Sequence, residues 1–136
     1  MKNILFAVLV VSGSAMAADP VKLNCAAGSK QVSDGEGLFC SRGGAPGIEK
    51  LDGPYVGLNK NGTVESQGQY LNGNRTGRWT FFDEKGVKIQ ETDFVNDEYH
   101  GKRITWLPDG QKQEETWVAG KLQATSVPGP SVRVTK

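Results

Sequence analysis

The chain has 136 residues, with 16 Lys and Arg against 15 Asp and Glu, for a formal charge of +1. That length suits one domain with a modest core rather than several. A near-neutral balance with interspersed signs offers no electrostatic footprint for nucleic acid or for an anionic membrane surface.

The first segment reads as a leader. Lys2 is followed by an uncharged apolar run from Ile4 to Val11, and Ala15-Met16-Ala17 places small side chains at positions −3 and −1 of a cut. This is the order of a secretory signal peptide cleaved after Ala17. The apolar run is shorter than the ~20 residues a transmembrane helix needs. No cysteine follows the cut, so a lipid anchor there is not expected. Removal of Lys2 with residues 1–17 leaves 119 residues of zero formal charge. The expected address is therefore the periplasm or the outside of the cell.

Residues 18–52 form the next segment and contain both cysteines, Cys25 and Cys40. An even count in an exported chain favours a disulfide, and two cysteines allow one intramolecular bridge. It closes the Gly- and Ser-rich stretch from Ala26 to Phe39. With no Cys-x-x-Cys and no histidine at ligand spacing, a redox or metal role is not supported. Asp34-x-Glu36 lacks the ligand count of a calcium loop.

From 53 to 122 the chain repeats itself. Gly53, Gly77 and Gly101 are 24 residues apart, as are Gly62, Gly86 and Gly110. Turn-formers precede each glycine of the second series, namely Asn59-Lys60-Asn61, Asp83-Glu84-Lys85 and Pro108-Asp109, and short aromatic or β-branched runs flank them. Each copy reads as a hairpin. The links Asn72 to Thr76 and Asn96 to His100 read as polar turns. The expected fold is all-β: a single antiparallel meander of about six strands from three hairpin repeats, with the disulfide-stapled segment in front. Residues 123–136, with Pro128-Gly129-Pro130, read as a flexible tail.

Alternation along a strand assigns two faces. Equivalent positions of the first strands give one ladder, Val56, Leu58, Thr80, Phe82, Ile104 and Trp106, which is apolar nearly throughout. The other is Tyr55, Gly57, Trp79, Phe81, Arg103 and Thr105, aromatic in two copies and polar in the third. Trp79 and Trp106 read as core, and Trp117 as an edge residue. Two such faces call for cover, and the disulfide segment is expected to fold back as a partial lid over Trp79 and Phe81. The least covered region, around Arg103, Thr105 and Trp117, is then the expected partner-binding surface.

The run Tyr70-x-Asn72-Gly73-x3-Gly77-x-Trp79 resembles the MORN repeat, in particular its bacterial variant 2, found in tandem in exported and antitoxin-like proteins. Phe94-x-Asn96-x4-Gly101 keeps the pattern with Asp97 in the glycine's place and Arg103 where Trp79 stands, and Trp117-x2-Gly120 resembles a truncated fourth start. The likeness covers about half of the chain. It implies a hairpin-stack sheet used for binding or spacing, with membranes, lipids or proteins as partners, and it carries no catalytic residue.

Enzyme chemistry finds little footing. His100 is the only histidine and reads as a solvated turn residue. Glu91, Asp93, Glu114 and Glu115 alternate with Arg75, Arg78, Lys88, Lys102, Arg103 and Lys112, which favours cross-strand ion pairs over an acid/base set. No phosphate loop, nucleophile elbow or zinc motif occurs. Neither a cofactor nor a metal is expected, and no small-molecule substrate is inferred. The reading is a non-catalytic binding module for a protein partner. The alternatives are an envelope-associated or lipid-surface protein and an exported immunity protein.

Overall fold

The computed structural model describes residues 21–43 and 50–126. The expected leader, its cleavage point at Ala17 and the Pro128-Gly129-Pro130 stretch lie outside the described residues. Nine strands follow in chain order: β1 Ser29–Ser33, β2 Gly37–Arg42, β3 Lys50–Leu58, β4 Val64–Leu71, β5 Asn74–Phe82, β6 Lys88–Val95, β7 Glu98–Trp106, β8 Lys112–Val118 and β9 Lys121–Ser126. They form one open sheet in sequence order, and every neighbouring pair is antiparallel. No helix is present among the described residues. The all-β meander and the disulfide are thus as expected, but the sheet has nine strands, not six, and is not made of three hairpin repeats alone.

The three additional strands come from segments with weak β signals. β1 and β2 arise from the Gly- and Ser-rich region, and β2 pairs with β3 through Leu38 opposite Val56 and Phe39 opposite Tyr55. The disulfide segment therefore extends the sheet sideways and is not the lid expected over Trp79 and Phe81. Cys25 and Cys40 are bonded, with their Cα atoms 5.5 Å apart. The Gln31 side chain accepts from the Leu23 N–H at 2.7 Å and donates to the Val21 carbonyl at 2.9 Å, which holds the leading stretch against β1 and β2. At the other end β9 carries the sheet through Ser126, four residues into the expected tail.

Two turn types alternate along the meander. At one end, the amides of Gly62, Gly86 and Gly110 each donate to the carbonyl three residues back, at 2.8 to 2.9 Å. At the other, only two residues link the strands: Asn72-Gly73, Asn96-Asp97 and Ala119-Gly120. All six have positive φ, as type I′ turns require. The longer polar links read from sequence are mostly strand, so Tyr99 and His100 lie within β7. Asp97, at φ +67°, holds a conformation that a glycine enters more readily. Its carboxylate is tied to Arg75, whose backbone N–H donates to Oδ1 at 2.8 Å and whose Nε donates at 3.0 Å.

Those bonds lower the Asp97 pKa, the backbone one most, against a smaller desolvation effect. A lowered folded value means that the stability from this carboxylate is present above the unfolded pKa of about 4. It is lost as the pH falls through the folded value. Asp97→Asn is expected to flatten this acid limb by less than about 1 kcal/mol, because the pair is half-exposed. Urea titrations of both proteins at pH 6 and pH 3 measure it. An unchanged pH dependence counts against the assignment.

The core is a set of rings on one face. Tyr70, Phe94 and Trp117, from the second strand of each hairpin, lie opposite Gly53, Gly77 and Gly101 in the register. Trp79 is 3% exposed and is surrounded by Tyr55, Tyr70, Phe81 and Phe94, with ring centroids 5.1 to 6.4 Å away. Its indole lies over Gly68, where an added Cβ would penetrate the ring, and its N–H donates to the Gln69 carbonyl at 3.1 Å. Register shifts in six of the eight strand pairs bend and twist the strands locally. The buried face is therefore the second ladder, completed by rings from β4, β6, β7 and β8. The first ladder is mostly half-buried, and Trp106 is not core: it meets the Lys88 ammonium 4.5 Å from its ring centre.

Candidate functional site

The aromatic face changes character along the sheet. Its middle row passes through Tyr55, Gly68 and Trp79, then Thr92, Arg103, Glu115 and Thr125. A parallel row passes from Phe81 to Gln90, Thr105 and Gln113. Beyond β5 the two rows are thus polar, while Phe94, Tyr99 and Trp117 continue the rings beside them. Strand alternation together with the β7–β8 register, Arg103 opposite Glu115, places Arg103, Thr105 and Trp117 on this one face.

Hydrogen bonds join most of the polar groups. The Trp117 indole N–H donates to Glu115 Oε2 at 2.9 Å, and the Gln113 amide donates to Oε1 at 3.3 Å. Arg103 Nη1 stands 3.4 Å from Glu115 Oε2. The guanidinium carbon lies 5.3 Å from the centre of the Tyr99 ring, within range of a cation–π contact. Tyr99 in turn packs on Trp117 at 5.0 Å. Gln90 donates to the hydroxyl of the fully buried Thr92 at 2.7 Å.

Glu115 and Tyr99 are the residues that sequence reasoning passed over. Glu115 was grouped with the solvated carboxylates, although Gln113, Glu115 and Trp117 alternate on one side of β8, a signal available from the sequence. Tyr99 was hidden in a segment read as a turn. The expected cross-strand ion pairs form between Arg78 and Asp93 at 3.1 Å and between Lys102 and Glu114 at 3.8 Å, while Lys88 meets Glu91 three residues along its own strand at 2.7 Å. His100 is exposed, and its Nδ1 accepts from the Ala119 N–H at 3.3 Å.

No protein-family model and no curated protein matches this chain.

An open groove of about 620 Å³ lies at the far turn end by Tyr55 and Asn61. Glu36, Glu65 and Glu84 reach it from three separate stretches of chain. Burial raises the Tyr55 phenol above its ordinary pKa, with Tyr70 and the carboxylates of Asp34, Glu65 and Glu36 adding to the effect. Asp34 itself is occupied in its turn, accepting from the N–H groups of Glu36 and Gly37 at 3.0 Å. Among the described residues no three His, Cys, Asp or Glu side chains are grouped to hold a metal ion. No helix among them is long and apolar enough to cross a membrane.

Proposed function

We propose that the protein is a non-catalytic, exported binding module, built on a MORN-like repeat sheet, that engages a protein partner through the face around Arg103, Thr105 and Trp117. One observation carries the reading. On an open sheet, an arginine–glutamate pair is held beside the packed rings of Tyr99 and Trp117, with part of its surface still in water. Rigid aromatic and arginine side chains of this kind dominate the energetics of protein interfaces. The 24-residue spacing of the two glycine series supports the repeat reading. The leader-like opening and the Cys25–Cys40 bond support export, since disulfides persist in oxidising compartments.

Affinity capture from an envelope fraction tests it, with the mature chain as bait and the Arg103→Glu, Trp117→Ala double variant as counter-bait. A partner retained by the first and lost by the second is the expected result. Equal recovery by both baits, or nothing specific on either, overturns the proposal.

A further inference from the structure

Hydrogen-bonding capacity in the Arg103 cluster is unbalanced, and the imbalance specifies the partner group, given the reading of this face as a binding surface. A carboxylate offers about four acceptor sites. Glu115 already receives three donors, from Trp117, Gln113 and Arg103. A guanidinium carries about five N–H donors. Arg103 uses its own in one long contact of 3.4 Å, and its Nε is buried with no partner among the described residues. Donors are therefore in excess, and what the cluster lacks is an acceptor.

The geometry says where that acceptor goes. The Arg103 side chain keeps 30% exposure, and with Nε shut away its polar contact with solvent is through the Nη end. Tyr99 lies along the guanidinium, and Glu115 approaches Nη1 while itself pinned by the Trp117 indole and the Gln113 amide. Arg75, also stacked on a ring of this face, is by contrast committed to Asp97. We infer that Arg103 receives a carboxylate of the partner polypeptide end-on at its Nη groups, with Tyr99, Trp117 and Glu115 as positioning residues. A planar carboxylate matches the guanidinium fork. A doubly charged phosphate meets stronger repulsion from Glu115, which already neutralises much of the Arg103 charge.

An acidic side chain and a free chain terminus share this chemistry, and a titration separates them. The Arg103 Nε–H and Trp117 indole N–H resonances of the ¹⁵N-labelled mature chain are followed as four peptides are added: acetyl-Ala-Glu-Ala-amide, acetyl-Ala-Ala-Leu with a free terminus, and the Gln and amide counterparts of each. Saturable shifts with one or both carboxylate peptides and none with the neutral pair are expected, the responding peptide identifying the source. Arg103→Lys keeps the charge and loses the fork, and it should weaken binding about tenfold or more. Arg75→Lys should leave binding unchanged. Equal shifts from the neutral peptides, no shift from either carboxylate, stronger binding of inorganic phosphate, or indifference to Arg103→Lys overturns the inference. A captured partner that needs Trp117 but tolerates Arg103→Lys refutes the carboxylate alone, and leaves the binding function of the face standing.

Discussion

Trp79→Ala is expected to cost about 3–5 kcal/mol of folding stability, the range for truncating a fully buried tryptophan. The indole is the ring that Tyr55, Tyr70, Phe81 and Phe94 all touch, so its loss opens a cavity that four neighbours line. Small domains are stable by about 5–15 kcal/mol, so the loss takes a large part of the total. Gly68→Ala attacks the same contact from the other side. Its methyl group enters the space of the indole, and overpacking of this kind costs about 1–3 kcal/mol or somewhat more. The two effects are not independent. In a Trp79→Ala background the methyl group of Gly68→Ala has room, and its cost should fall close to zero. A double-mutant cycle by urea denaturation reads the difference as a coupling of about 1–3 kcal/mol. A Gly68→Ala penalty of the same size in both backgrounds would show that the glycine serves the strand and not the indole.

The second large effect concerns the bridge. Reducing Cys25–Cys40, or replacing both with alanine, is expected to cost about 3 kcal/mol in the chain-entropy account of a loop of this length. The bond spans a sequence separation of 15 and secures a strand, β1, whose only neighbour among the described residues is β2. Cys40 is fully buried beside Gly53, so the replacement also leaves a small void. Amide exchange should rise first in β1 and β2 and last around Trp79. Thiol titration confirms reduction, and denaturation curves of oxidised and reduced protein give the difference. Coincident curves would sink the account, as would exchange that rises evenly over all nine strands.

These predictions rest on features that were unequally legible in the sequence. The three central hairpins could be read because glycine marks their turns, and Gly62, Gly86 and Gly110 repeat the same hydrogen bond. β1, β2 and β9 could not, since each is short, its composition is that of a loop, and its strand character comes from pairing with a neighbour. The rings that complete the buried face are hard to read from the sequence for a related reason. The first-strand ladders show Val56, Leu58 and Ile104 on one side, but the rings of Tyr70, Phe94 and Trp117 reach the other side through cross-strand register, which spacing alone does not give. Arg103, Thr105 and Trp117 share one face, but the reason differs from the one that the sequence suggests. They stand apart because the middle row turns from rings to Thr92, Arg103 and Glu115. No lid stops short of them.

The strict sequence order of the strands has a bearing on how such a molecule changes over generations. Among the described residues each strand pairs only with the strands before and after it in the chain, so no distant segment there has to find a new mate when the meander lengthens. Duplicating one hairpin inserts two strands and widens the sheet by about 10 Å, at the usual spacing between strands. The existing registers stay as they are. Surface area and ring count can then grow by duplication of a hairpin, while single substitutions, like Arg103 standing 24 residues after Trp79, give a stretch a chemistry of its own.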